Sequence, residues 1–135
     1  MSKREPVAIK YVLVCDDLRE EKDTKKFTVL GLYSRKIFLN AVPVMLPKLA
    51  FRICIGPVRV DDIMTMNLIR PDGELIGGGQ IKIESAGDHQ GEAFVNIVLS
   101  PFPIDKTGTY KLVLKHGKKE STAVAFEAEQ KQHPK

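Results

Sequence analysis

The residues that could do chemistry are few. Two acidic pairs, Asp16-Asp17 and Asp61-Asp62, each sit beside a β-rich run. At strand ends, loops from one end of a β-sandwich could gather these four carboxylates around a calcium ion, which takes about six to eight oxygen ligands. The same acids are where a small hydrolase or ligand-binding protein would build its site. Against this, no Asp-x-Asp spacing supplies further ligands, and strand-end aspartates often accept backbone amides instead. Cys15 precedes Asp16, but a cysteine nucleophile needs a base and an electropositive setting. His89, His116 and His133 fall in turns or in the tail, away from it. Cys15 and Cys54 are therefore expected as buried structural thiols, and two cysteines with scattered histidines give no zinc spacing.

Gly77-Gly78-Gly79 lacks the Lys and Ser/Thr of a phosphate loop and any following helix. It reads as a bulged or edge strand whose bare backbone invites another chain, and Ile76 and Ile81 flank it. A protein partner or self-association is expected there. No catalytic residue, metal or cofactor is assigned.

The scaffold that must position these residues is legible in outline. A chain of 135 residues with 43% hydrophobic content can bury one core without disulfides. Its 21 basic and 17 acidic residues leave a charge of +4, a mild excess with no basic stripe interleaved with aromatics. Nucleic acid is not an expected partner. Lys25-Lys26 and Lys118-Lys119 read as solvated turns, with binding of an anionic polymer as a third, weaker reading. No apolar run approaches the ~20 residues of a membrane span. The start of the chain has no uninterrupted apolar stretch of the signal-peptide kind. With two cysteines and no secretion signal, a reducing cytoplasmic setting is expected.

Period-two alternation marks the strands. In Gly108–Lys119, Tyr110, Leu112 and Leu114 fall on one face and Lys111 and Lys115 on the other; His116-Gly117 turns the chain into Ser121–Phe126. Leu49, Phe51, Ile53 and Ile55 alternate with Ala50, Arg52 and Cys54, and Val95, Ile97 and Leu99 share a face. Pro71-Asp72-Gly73 is a turn between Ile63–Arg70 and Glu74–Glu84. Val7–Cys15 and Phe27–Ser34, with Gly31 at a bulge or close approach, complete about eight strands. Leu18–Lys26 is charged and reads as an exposed connection. Ile37–Leu46, broken by Pro43, reads as a crossover, and Pro101–Thr107 as a link. The expectation is an all-β, antiparallel sandwich over residues 1–126, with a frayed polar tail over 127–135.

Three segments carry a resemblance. Tyr11-Val12-Leu13-Val14-Cys15-Asp16 with Thr28-Val29-Leu30-Gly31-Leu32-Tyr33, then Leu68-Ile69-Arg70-Pro71-Asp72-Gly73, then Gly108-Thr109-Tyr110-Lys111-Leu112, are together similar to a family of small bacterial proteins of unknown function. The similarity runs from Tyr11 to Phe126. It implies an immunoglobulin-like sandwich and brings no ligand, partner or catalytic residue with it. The Gly-x-Tyr of Gly108–Tyr110 also resembles the tyrosine corner of such domains. The chain departs from true immunoglobulin domains in lacking Trp and an inter-sheet cysteine pair. The expected function is a non-enzymatic protein-interaction or assembly module. The alternative is a small calcium- or ligand-binding protein or hydrolase with an acidic site at its loop end.

Overall fold

The structure, a computed structural model, describes residues 8–24, 26–56, 63–82 and 92–131. Among them are eleven strands and no helix. The first is β1 (Ala8–Glu20), followed by β2 (Phe27–Tyr33), β3 (Lys36–Leu39), β4 (Val44–Leu46), β5 (Leu49–Gly56) and β6 (Ile63–Ile69). Then come β7 (Leu75–Lys82), β8 (Ala93–Leu99), β9 (Phe102–Ile104), β10 (Gly108–His116) and β11 (Lys119–Gln130). They form a four-stranded sheet in the order β2-β1-β5-β8, a five-stranded sheet in the order β3-β11-β10-β6-β7, and a small β4-β9 pair. Every pairing is antiparallel except β3 with β11.

The alternating strands do what their pattern requires. Leu49, Phe51, Ile53 and Ile55 of β5 share a core with Tyr110, Leu112 and Leu114 of β10 and Phe126 of β11. The two larger sheets are thus held over one apolar interior. Tyr110 stacks on Phe126 at 5.5 Å with 12° between the rings; Phe51 lies 5.9 Å from Phe126 and Phe102 lies 6.1 Å from Tyr110. Burying each such ring contributes about 1.5–3 kcal/mol, and each aromatic pair about 0.5–1.5 kcal/mol more. The opposite face of β5 carries Ala50, which joins Cys15 and Leu18 in a second small cluster against Phe27 and Val29.

The strand count exceeds the expected eight because β3, β4 and β9 form inside segments read as connections. Pro43 does separate β3 from β4, yet each short piece still finds a ladder: β3 on the end of β11, β4 on β9. Glu127–Gln130, read as the start of a tail, pairs with Lys36–Leu39. Likewise β1 does not stop at Asp16-Asp17. It runs on to Glu20, where Glu20 pairs with Phe27 and Leu18 with Val29. Leu18 is buried within a segment expected to be solvated. Backbone pairing with β2 outweighs the charges of that segment, which point to water from an edge hairpin.

Candidate functional site

Asp16 and Asp17 on β1 are neither at a strand end nor convergent. Asp16 receives the Tyr33 hydroxyl and lies over Gly31, whose φ of +65° and lack of a Cβ make room for it. An added Cβ there would come within 2.7 Å of Asp16 Cγ. The close approach anticipated at Gly31 is this contact. Burial first, then the bond to Asp16, pushes the Tyr33 hydroxyl far above its ordinary pKa, so it stays a donor. Asp17 is buried. Desolvation works to raise its pKa, but Lys48 Nζ at 3.3 Å, the Leu18 amide at 2.9 Å and Arg19 at 3.4 Å together hold it below the ordinary value. Asp61 and Asp62 lie outside the described residues. Among the described residues, no three His, Cys, Asp or Glu side chains come together as a metal group.

Both cysteines are buried and unbridged. Burial raises the Cys15 thiol's pKa against the hydrogen bond it donates to the Asp17 carbonyl at 3.4 Å. It is a protonated, packed thiol at neutral pH. His89, His133 and Lys25 lie outside the described residues, as do the loop residues between β5 and β6.

Sequence reasoning missed a groove that arises from unequal strand lengths. β1 has thirteen residues and β2 seven, so β2 covers β1 only from Val14 to Glu20. β11 has twelve residues and β3 four, so β3 covers β11 only from Glu127 to Gln130. Among the described residues, nothing pairs with Ala8–Leu13 or with Lys119–Phe126 on those sides. Ser34-Arg35 links β2 to β3 between the sheets. Arg35 takes a φ of +98°, and its carbonyl accepts the Glu127 amide at 2.8 Å. The two open edges, Lys10–Leu13 and Thr122–Ala125, line one groove of about 490 Å³ with Tyr33 and Arg35. Its lining holds two cations, Lys10 and Arg35, and no acid. Two carboxylates lie next to the lining without joining it: Asp16 accepts the Tyr33 hydroxyl, and Glu127 shares a neighbouring pocket with Arg35 and Ala125.

A second open edge is the one anticipated at the glycines. β7 is the last strand of the five-stranded sheet, and its only described partner is β6. Gly77, Gly78, Gly79 and Gln80 are exposed, as is Leu75. The three glycines differ. A Cβ on Gly78 would meet the Met66 carbonyl at 2.6 Å, so that glycine permits close approach to β6. Gly77 and Gly79 have open space where a Cβ would go.

The remaining dense polar cluster ties one end of the fold together. Arg70 bridges Glu74 and, at 3.0 Å, Asp105; Lys106 Nζ reaches Asp72 at 2.9 Å. Gly73 N–H donates to the Arg70 carbonyl at 2.9 Å and Asp72 accepts the Glu74 amide at 2.9 Å, the turn expected of Pro71-Asp72-Gly73. Tyr110 sends its hydroxyl to the Lys106 carbonyl at 2.8 Å. These groups are engaged with one another within the fold, except that buried Arg70 Nε makes no hydrogen bond and lies 3.8 Å from Asp72 Oδ1.

The profile of a family of unknown function, DUF6941, matches residues 10–129. The chain belongs to this family. The match spans Tyr11–Asp16, the Pro71-Asp72-Gly73 turn and the Tyr110 corner that carried the resemblance, and it takes in β7 and the groove-lining edges Lys10–Leu13 and Thr122–Ala125. No curated protein matches the chain. For a DUF6941 chain the site must therefore be argued from its own residues.

Proposed function

We propose that this protein is a non-enzymatic interaction module with an immunoglobulin-like sandwich, assembling through the open edge of β7. The strand order supports the fold reading. β5 pairs with β8 as strands B and E do, while β6, β10 and β11 lie side by side as C, F and G do, with Tyr110 at the start of the F equivalent. The buried, unbridged cysteines are in keeping with a reducing compartment such as the cytoplasm.

One observation carries the function: β7 is a long edge whose protection is confined to its ends, a bulge at Ile76 and a charge at Lys82. Edge strands of monomers are blunted by charge, proline, shortness or bulging away. Leu75–Lys82 has eight residues, no proline and one charge, at its last position. The other edge of the same sheet, β3, has four residues and begins with Lys36. The partner that fits is a second copy of this chain. Antiparallel pairing about a two-fold axis sets each Gly77–Gly79 segment against its equivalent and extends the sheet across both copies. Amide exchange tests this. Protection of the β7 amides that face away from β6 should rise with protein concentration; protection that stays flat would count against the reading.

A further inference from the structure

The groove between β1 and β11 lies on the opposite side of the five-stranded sheet from β7 and is independent of the reading above. We infer that it is a second binding site, one that accepts an extended peptide segment bearing acidic side chains. Three observations converge. Lys10–Leu13 and Thr122–Ala125 offer two strand edges with no described partner, one from each sheet, on a shared groove. Unpaired strand edges are templates for main-chain hydrogen bonds with an added strand. The volume, about 490 Å³, is within the range of ligand-binding clefts. The charge selects the partner. Lys10 and Arg35 are both exposed, neither makes an ion pair among the described residues, and the lining contains no carboxylate.

The division of labour follows. Main-chain bonds to an open edge give affinity for an extended chain of any sequence. Lys10 and Arg35 favour Asp or Glu side chains on that chain and disfavour Lys or Arg. Val12 and Val124, half-buried in the lining, take the apolar side chains that alternate with the acidic ones.

The test uses the whole protein and fluorescent peptides of about eight residues, a usual strand length. One peptide alternates Glu and Val, one alternates Lys and Val, and one is the Glu-Val peptide N-methylated on alternate backbone nitrogens. The Glu-Val peptide should bind saturably and more weakly as salt rises, and the other two should not bind. Lys10→Glu with Arg35→Glu should weaken the Glu-Val peptide about tenfold, the scale of two partly exposed charge contacts. Should the double variant fold poorly, Lys10→Glu alone carries the test, with weakening in the same direction. Gly77→Glu with Gly79→Glu should leave peptide binding intact, which separates this site from the β7 edge. The inference is overturned if the Glu-Val peptide fails to bind. It is equally overturned if the N-methylated peptide binds as well, since charge alone is then at work, or if the Lys10 and Arg35 variants bind unchanged. Loss of binding on the β7 substitutions would move the site to that edge.

Discussion

The hydroxyl of Tyr110 donates to the carbonyl of Lys106, four residues upstream, at 2.8 Å, with the ring itself fully buried against Phe126. This bond pins the β9–β10 connection to the core and closes the end of the molecule opposite the β10–β11 turn. Tyr110→Phe keeps the ring and loses the bond, so it should cost about 1 kcal/mol or somewhat more, because the Lys106 carbonyl is left without its donor. Chemical denaturation of the two proteins measures it; an unchanged midpoint would make Tyr110 an ordinary core tyrosine.

Phe126 is the ring on which Tyr110, Phe51 and Phe102 all pack. Phe126→Ala should destabilise by about 3–5 kcal/mol, the range for emptying a buried aromatic site. A loss below 1 kcal/mol, well under that range, would mean that the two sheets do not share the interior described above.

Gly31 and Asp16 are coupled through space. Gly31→Ala must hold a left-handed φ and displace the Asp16 side chain, which breaks its bond to Tyr33. The expected cost is about 1–2 kcal/mol. In an Asp16→Ala background the clash with the carboxyl disappears and only the 3.1 Å contact with the Cβ of residue 16 remains, so the cost should fall toward the backbone part, about 1 kcal/mol. Equal costs in the two backgrounds would show that Asp16 does not occupy the glycine's space.

Two aspartates make stability depend on pH in a definite direction. The hydrogen bond from Lys106 leads in lowering the Asp72 pKa, and Lys48 leads in lowering that of Asp17 against desolvation. A carboxyl whose folded pKa is depressed stabilises fully above its unfolded value, about 3.9, and that contribution is lost as pH falls through the folded value. Melting temperature should therefore drop on acidification below about pH 4. The double variant Asp17→Asn with Asp72→Asn should show a shallower drop, from a lower starting point at neutral pH. Parallel curves would remove both aspartates from the acid response.

The sequence exposes those parts of this fold whose pattern is local. Leu49, Phe51, Ile53 and Ile55, like Tyr110, Leu112 and Leu114, recur at every second position because that face of each strand meets the main core, and the Pro71-Asp72-Gly73 turn is specified by its own residues. Gly31 and Gly78 are also legible, since each marks backbone that another group approaches closely. β3, β4 and β9 are not, because three or four residues among prolines become strand only when a distant partner supplies the ladder. Asp16 and Asp17 mislead for a related reason: two acids look like the end of a strand, yet the pairing of Leu18 with Val29 carries β1 past them. The groove has no motif at all. It follows from β1 and β11 outrunning β2 and β3, and strand length is what a single sequence specifies least.

Sedimentation velocity over a wide range of protein concentration tests the central claim, assembly through β7, most directly. Gly77→Glu with Gly79→Glu places like charges on both sides of the proposed junction, at positions with room for a side chain, and leaves the tight Gly78 alone. The account predicts a wild-type protein that passes from monomer to dimer as concentration rises, and a variant with an unchanged melting temperature that stays monomeric throughout. A wild-type protein that remains a monomer at every concentration, or a variant that dimerises equally well, would contradict it.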